Sequence, residues 1–172
     1  MPVSPALPIA ALVTRSSCEA DQLIADFSRQ QIAAGRRIRG LRQTLEACDN
    51  SGCMVILIDL ENERRYPITQ DLGPGSAACG LDPGLIADAA QVMRRIAVEG
   101  ADLAVFNRFG ALEAEGGGLA AEMLELMSRG QPVLVIVGER HLDAWRNFTG
   151  GLASELPATA DALNRWFREI AC

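Results

Sequence analysis

The apolar positions of this chain change their period several times, and each change marks an element. Residues 9–13 form a short apolar run between turn formers. Thr14, Arg15, Ser16 and Ser17 follow, and then Leu23, Ile24, Phe27 and Ile32 recur at helical spacing. The expected order is strand, loop, helix. Ser16 or Ser17 is placed to cap the helix, Glu19 and Asp21 suit its positive first turn, and Gly35 ends it. Residues 37–44 alternate Ile38 and Leu41 with arginines and read as a second strand, reached by a right-handed parallel crossover. Residues 54–60 are a continuous apolar strand, Glu61-Asn62-Glu63 a turn, and residues 64–69 the return strand of a hairpin. Residues 70–80, rich in glycine, serine and alanine, read as a surface loop.

Helix resumes at Asp82-Pro83, a cap with proline at the first helical position, and runs to about Val98 before Gly100. Residues 103–106 read as a buried strand. Gly116, Gly117 and Gly118 open a helix carrying Leu119, Met123, Leu124 and Met127, which stops at Gly130. Residues 132–137 are wholly apolar, the pattern of a strand in a parallel sheet covered on both faces. A short helix around Trp145 and a last helix from about Thr159, with Leu163, Trp166, Phe167 and Ile170, complete the chain. This alternation specifies an α/β fold, a three-layer mostly parallel sheet with a β-hairpin insertion at about residues 53–69. Its 172 residues suit one core, so residues 1–172 are expected to form a single α/β domain. In such sheets ligands bind beyond the carboxyl ends of the strands, which singles out loops 14–21, 107–118 and 138–141.

Composition narrows the chemistry further. Apolar residues make up 49 % and charged residues 22 %, so there is a core to bury and disorder is excluded. The formal charge of −6 leaves no excess of cations for phosphates, which argues against nucleic acid and against an anionic membrane surface. All 16 basic residues are arginine, and His141 is the only histidine. Schiff-base catalysis, a phosphate-binding P-loop lysine and a multi-histidine metal site are thereby excluded. The five cysteines, Cys18, Cys48, Cys53, Cys79 and Cys172, are odd in number and scattered, as expected of reduced thiols in a cytoplasmic protein. No basic residue precedes the first apolar run and Arg15 cuts it short, so the run reads as a strand rather than a leader or a membrane span.

The first loop lies where a P-loop would lie, at a helix N-terminus that offers free N–H groups to an anion. Its TRSSCEADQ has no glycine to wrap a phosphate, and Asp21 falls near the lysine position with Gln22 near the magnesium-binding hydroxyl. A carboxylate there repels phosphates by on the order of 1–4 kcal/mol at surface-like dielectric. Thr14, Ser16, Ser17, Cys18 and the helix amides, with Arg15 for charge, could instead hold a smaller oxyanion, or the serines only cap the helix. After the strand ending LAVFNRFG, where nucleotide hydrolases carry an acidic pair, stand Asn107 and Arg108. Neither supplies a magnesium carboxylate or a base. Glu113 and Glu115 are the weak catalytic candidates, as acid/base residues if they face the cleft and as a solvated first turn otherwise. Gly116 either lets a backbone approach a ligand or gives a flexible helix entry. His141 is expected as a surface histidine at a helix start, and Trp145 and Phe148 as packing. Cys48 and Cys53, in CDNSGC, could close a hairpin or bind a metal, but no second ligand pair accompanies them and no metal site is expected.

The run FNRFGALEAEGGGL, followed by GQPVLVIVGERHLDAWRNFTGG, resembles a small bacterial family of proteins of unknown function whose genes tend to lie beside molybdate-transport genes. The resemblance covers nearly the whole chain and is most specific at residues 107–116 and at Trp145, Phe148 and Gly150. More distantly, the order of elements is similar to thermophile-type P-loop nucleoside triphosphatases, which implies their fold. The chain departs from that group at Asp21 and at Asn107-Arg108, so hydrolysis does not follow with the fold.

The resulting expectation is a non-hydrolysing, P-loop-like ligand-binding or accessory protein. It would hold a small oxyanion, molybdate or tungstate among the candidates, at Thr14, Arg15, Ser16, Ser17, Cys18, Asn107, Arg108 and Gly116, or bind a protein partner of the molybdate-transport system. One alternative is a nucleotide- and magnesium-dependent hydrolase or transferase using Glu113 or Glu115, with Arg108 in place of the lysine. The other is an interaction module, as a homodimer or through the 70–80 loop and Arg64-Arg65.

Overall fold

The computed structural model describes residues 7–47, 53–70 and 80–172. Seven strands form one sheet, in the order β4 (Arg65–Pro67), β3 (Cys53–Asp59), β2 (Ile38–Ala47), β7 (Leu103–Phe109), β8 (Val133–Gly138), β1 (Ile9–Thr14) and β9 (Ser154–Pro157). Its centre is parallel: β1 lies between β8 and β9, and β8 pairs with β7. Alternate residues of these strands feed two separate cores, because successive side chains point to opposite faces. Ile9, Ala11, Val133, Val135 and Phe106 pack with α2 (Pro83–Glu99), α4 (Ala120–Ser128) and α5 (Leu142–Thr149). Ala10, Leu12, Leu134, Ile136 and Val105 pack with α1 (Ser17–Ala33) and α6 (Ala160–Ile170). The continuous apolar reading of residues 132–137 is thus explained, since both faces of β8 are covered.

The element signals hold where they are chemical. Asp82 caps α2, its carboxylate accepting from Gly84 N and Leu85 N, and Thr159 caps α6 through Ala162 N. Ser16 occupies the cap position of α1, but its side chain makes no cap bond; Thr14 Oγ1 instead accepts from Ser16 N at 3.0 Å and donates to Ser16 O at 2.9 Å. The expected serine cap is replaced by a turn made by the threonine two residues earlier.

Two corrections concern the hairpin region. The expected second strand is longer, β2 (Ile38–Ala47), and the hairpin of β3 (Cys53–Asp59) and β4 (Arg65–Pro67) is no excursion from the sheet. β3 pairs antiparallel with β2 over Leu41–Ala47, so the hairpin extends the main sheet as its outer edge. The strand changes partners at Gly40. Ile38, Arg39 and Gly40 pair in parallel with β7, and from Leu41 onward β2 pairs with β3. Gly40 has φ +121°, and a Cβ there would lie 2.1 Å from Val105 O, so only glycine fits. Of the expected 70–80 loop, residues 71–79 lie outside the described residues, as do Cys48 and Cys79; β5 (Thr69–Gln70) and β6 (Gly80–Leu81) pair as a small ribbon at its two ends. Among the described residues no helix is long and apolar enough to cross a membrane.

Candidate functional site

Where β2 parts from β7, the sheet opens. On the β7 side the register shifts between Val105 and Asn107, and Asn107 adopts φ +69°, a conformation asparagine tolerates better than most residues. Its side chain is fully buried and takes over the ladder. Oδ1 accepts from Gln43 N at 3.0 Å, and Nδ2 donates to Gln43 Oε1 at 3.3 Å. The carboxamide therefore bridges two strands whose backbones have separated.

The bulge re-aims the next residue. Arg108 reaches across to the first turns of α1, where its Nη2 contacts both Asp21 oxygens at 2.8 and 2.9 Å and its Nη1 donates to Ser17 Oγ at 3.0 Å. The Asp21 side chain is only 12 % exposed. Burial pushes its carboxyl above the ordinary value of 3.8, outweighing the lowering effect of the Arg108 guanidinium. The corner between β1 and β7 is thus filled by a partly buried ion pair, with the positive charge already compensated.

The three loops singled out by topology border one cavity of about 820 Å³, contributing Thr14, Arg15 and Ser17 from the first, Asn107, Arg108 and Glu113 from the second, and Arg140 and His141 from the third. They meet because α1 leaves β1 toward one face of the sheet and α5 leaves adjacent β8 toward the other, so a crevice opens between their starts. Arg15 pairs with Glu139 at 2.7 Å across this crevice. Ser16, Cys18, Glu115 and Gly116 are not brought to the cavity wall. Cys18 and Glu115 are exposed, and Gly116 takes φ +87° at the end of α3 (Ala111–Ala114), a short helix the loop reading did not contain.

Glu113 has a specific local job. Its Oε2 accepts from Gly110 N at 3.0 Å and its Oε1 from Leu119 N at 3.3 Å, tying the start of α3 to the start of α4. Gly118 is needed beside it, since a Cβ there would meet Glu113 Oε1 at 2.1 Å. His141 is half-buried at the start of α5 and borders the cavity, while Trp145 behind it is fully buried against Phe109 and Phe148. The remaining wall went unread in the sequence. Gln43 of β2, Val55 and Leu57 of β3, Ile68 after β4, Leu81 of β6 and Ile86 of α2 close the cavity on the outer side of the sheet. The sequence places Val55, Leu57 and Ile68 in hairpin strands and Ile86 in a helix, and the pairing of β3 with β2 brings the hairpin residues to the site. Among the described residues no group of three or more His, Cys, Asp or Glu side chains converges as a metal site would need.

The family model described as a protein of unknown function, DUF2478, matches residues 9–166. The chain belongs to the DUF2478 family. The molybdenum import ATP-binding protein ModC 2 of Bradyrhizobium diazoefficiens is 37 % identical over 165 residues, which cover 95 % of this chain and 18 % of that protein. This DUF2478 chain thus corresponds to less than a fifth of that relative's length. The solution structure of a human cancer-related nucleoside triphosphatase matches with a TM-score of 0.65 at 16 % identity, over 94 % of each chain. That likeness shows the fold alone, the expected three-layer, mostly parallel α/β sheet.

Proposed function

We propose that this chain is a ligand-binding or accessory domain built on a P-loop-like fold, one that holds an anion at the carboxyl edge of its sheet without hydrolysing nucleotide. The observation that carries the reading is the Arg108–Asp21 pair at the start of α1. A nucleoside triphosphate with magnesium needs a lysine or equivalent free cation, a magnesium-binding hydroxyl and an acidic partner near these positions. This donor set does not fit that group. The chain has no lysine, the arginine beside the start of α1, Arg108, is compensated by Asp21, and Asn107 offers an amide already engaged by Gln43 and Asp21. Glu113, the strongest carboxylate candidate for a base, is held by two backbone N–H groups.

A smaller anion is better served. The first amides of α1, Ser17 Oγ and the Arg108 guanidinium sit together, and neutral donors at a helix start solvate an oxyanion without a free cation. The name of the Bradyrhizobium relative makes molybdate and tungstate the first ligands to test, and a component of molybdenum uptake the first partner to seek. Calorimetric titration with molybdate, tungstate and sulfate is expected to give saturable heat that Arg108→Gln abolishes. Magnesium ATP and GTP are expected to release no phosphate above the protein-free control. Steady phosphate release would replace this reading with the hydrolase alternative.

A further inference from the structure

We infer that the anion bound here is the head group of an organic ligand, whose apolar body lies in the part of the cavity between β3, β6 and α2. The inference deepens the ligand-binding reading above and rests on it. A four-oxygen anion needs on the order of a few water volumes of roughly 30 Å³ each, whereas the cavity measures about 820 Å³. That size falls within the 300–1,000 Å³ or so typical of sites for organic molecules, which are apolar with a few placed polar groups.

The lining follows that division. Val55, Leu57, Ile68, Leu81, Ile86 and Phe106 supply a continuous apolar wall on one side. Gln43 stands at the junction with the polar loops, its Oε1 accepting from Asn107 and its Nε2 without a partner among the described residues. On the polar side two of the three lining arginines are compensated, Arg15 by Glu139 and Arg108 by Asp21. Arg140, next to His141, makes no ion pair among the described residues. Arg140, the one lining arginine without such a pair, matches one anionic group, and Glu113, a lining carboxylate with no arginine paired to it, penalises further negative charge. The site therefore suits a carboxylate, sulfonate or single phosphate ester on a ring or branched carbon body, and rejects polyphosphates.

The test uses 8-anilinonaphthalene-1-sulfonate, a single-charged aromatic anion that fluoresces when its rings leave water, titrated into the folded protein. Saturable one-to-one binding is expected. Leu81→Asp, at a position 45 % exposed, and Arg140→Ala, at an exposed one, should each weaken binding roughly tenfold or more, the scale of one lost charge-assisted or apolar contact. Val98→Asp, at an 88 % exposed position at the far end of α2, should change nothing. The uncharged 1-anilinonaphthalene should bind more weakly than the sulfonate. Absence of binding to the cooperatively folded protein, or binding that neither Leu81→Asp nor Arg140→Ala weakens, overturns the inference. If the dye fails while molybdate gives saturable heat, the organic body is wrong and the anion reading stands. If the dye behaves as expected while molybdate neither binds nor competes, the organic ligand stands and the bare oxyanion falls.

Discussion

Gly40 and Asn107 do complementary work on opposite sides of one gap. Gly40 lets β2 release β7 with its backbone against Val105 O, and Asn107 closes the opening with its side chain. Gly40→Ala is expected to cost at least about 3 kcal/mol, because a positive φ and a clash act together and the atoms met are all backbone of Val105 rather than the end of a flexible side chain. Urea denaturation would show this as a large drop in midpoint. Asp21 gives a prediction with a sign. Its carboxyl is raised by burial, so the native state holds its proton more tightly than the unfolded chain does, and stability falls as pH rises from about 3.8 through the raised value. Asp21→Asn removes that falling component while leaving Arg108 without its carboxylate at every pH. The stability of wild type relative to this variant should therefore decline as pH rises above about 3.8 and then level off, in urea titrations taken every half pH unit.

At the scale of elements, the sequence was legible where capping chemistry or period is strong. Asp82-Pro83 and Thr159 are helix starts written in side chains that accept backbone N–H bonds, and residues 132–137 announce a strand covered on both faces. The elements that went unread are short or depend on partners. Strand β9 has four residues alternating between half-buried and exposed, and is a strand because β1 offers it an edge. Helix α3 has four residues and no buried one; it exists as one side of the Glu113 tie. Glu113→Ala should cost about 1–3 kcal/mol by leaving Gly110 N and Leu119 N without their acceptor. Hydrogen exchange should speed up at residues 110–119 and remain slow in β8. Uniform acceleration across both would mean that α3 and α4 are not held by this carboxylate.

For the whole molecule, topology revealed the rim of the site but not its interior. Connections that leave β1 and β8 for opposite faces bring three loops together at one edge, and the strand–helix alternation is enough to foresee that. The apolar wall depends on β3 joining β2 and on β2 changing partners at Gly40, a tertiary event that leaves no periodic signal. The Arg108–Asp21 pair was hidden for the same reason, since 87 positions separate its members. The central claim is that an anion binds where these loops meet. Backbone amide shifts recorded while tungstate is titrated into the protein test it most directly. The account predicts saturable shifts confined to Ser17, Cys18 and Glu19 at the start of α1, Asn107 and Arg108 after the bulge, and residues 138–141. Shifts that do not saturate, or that cluster away from these three segments, would contradict it.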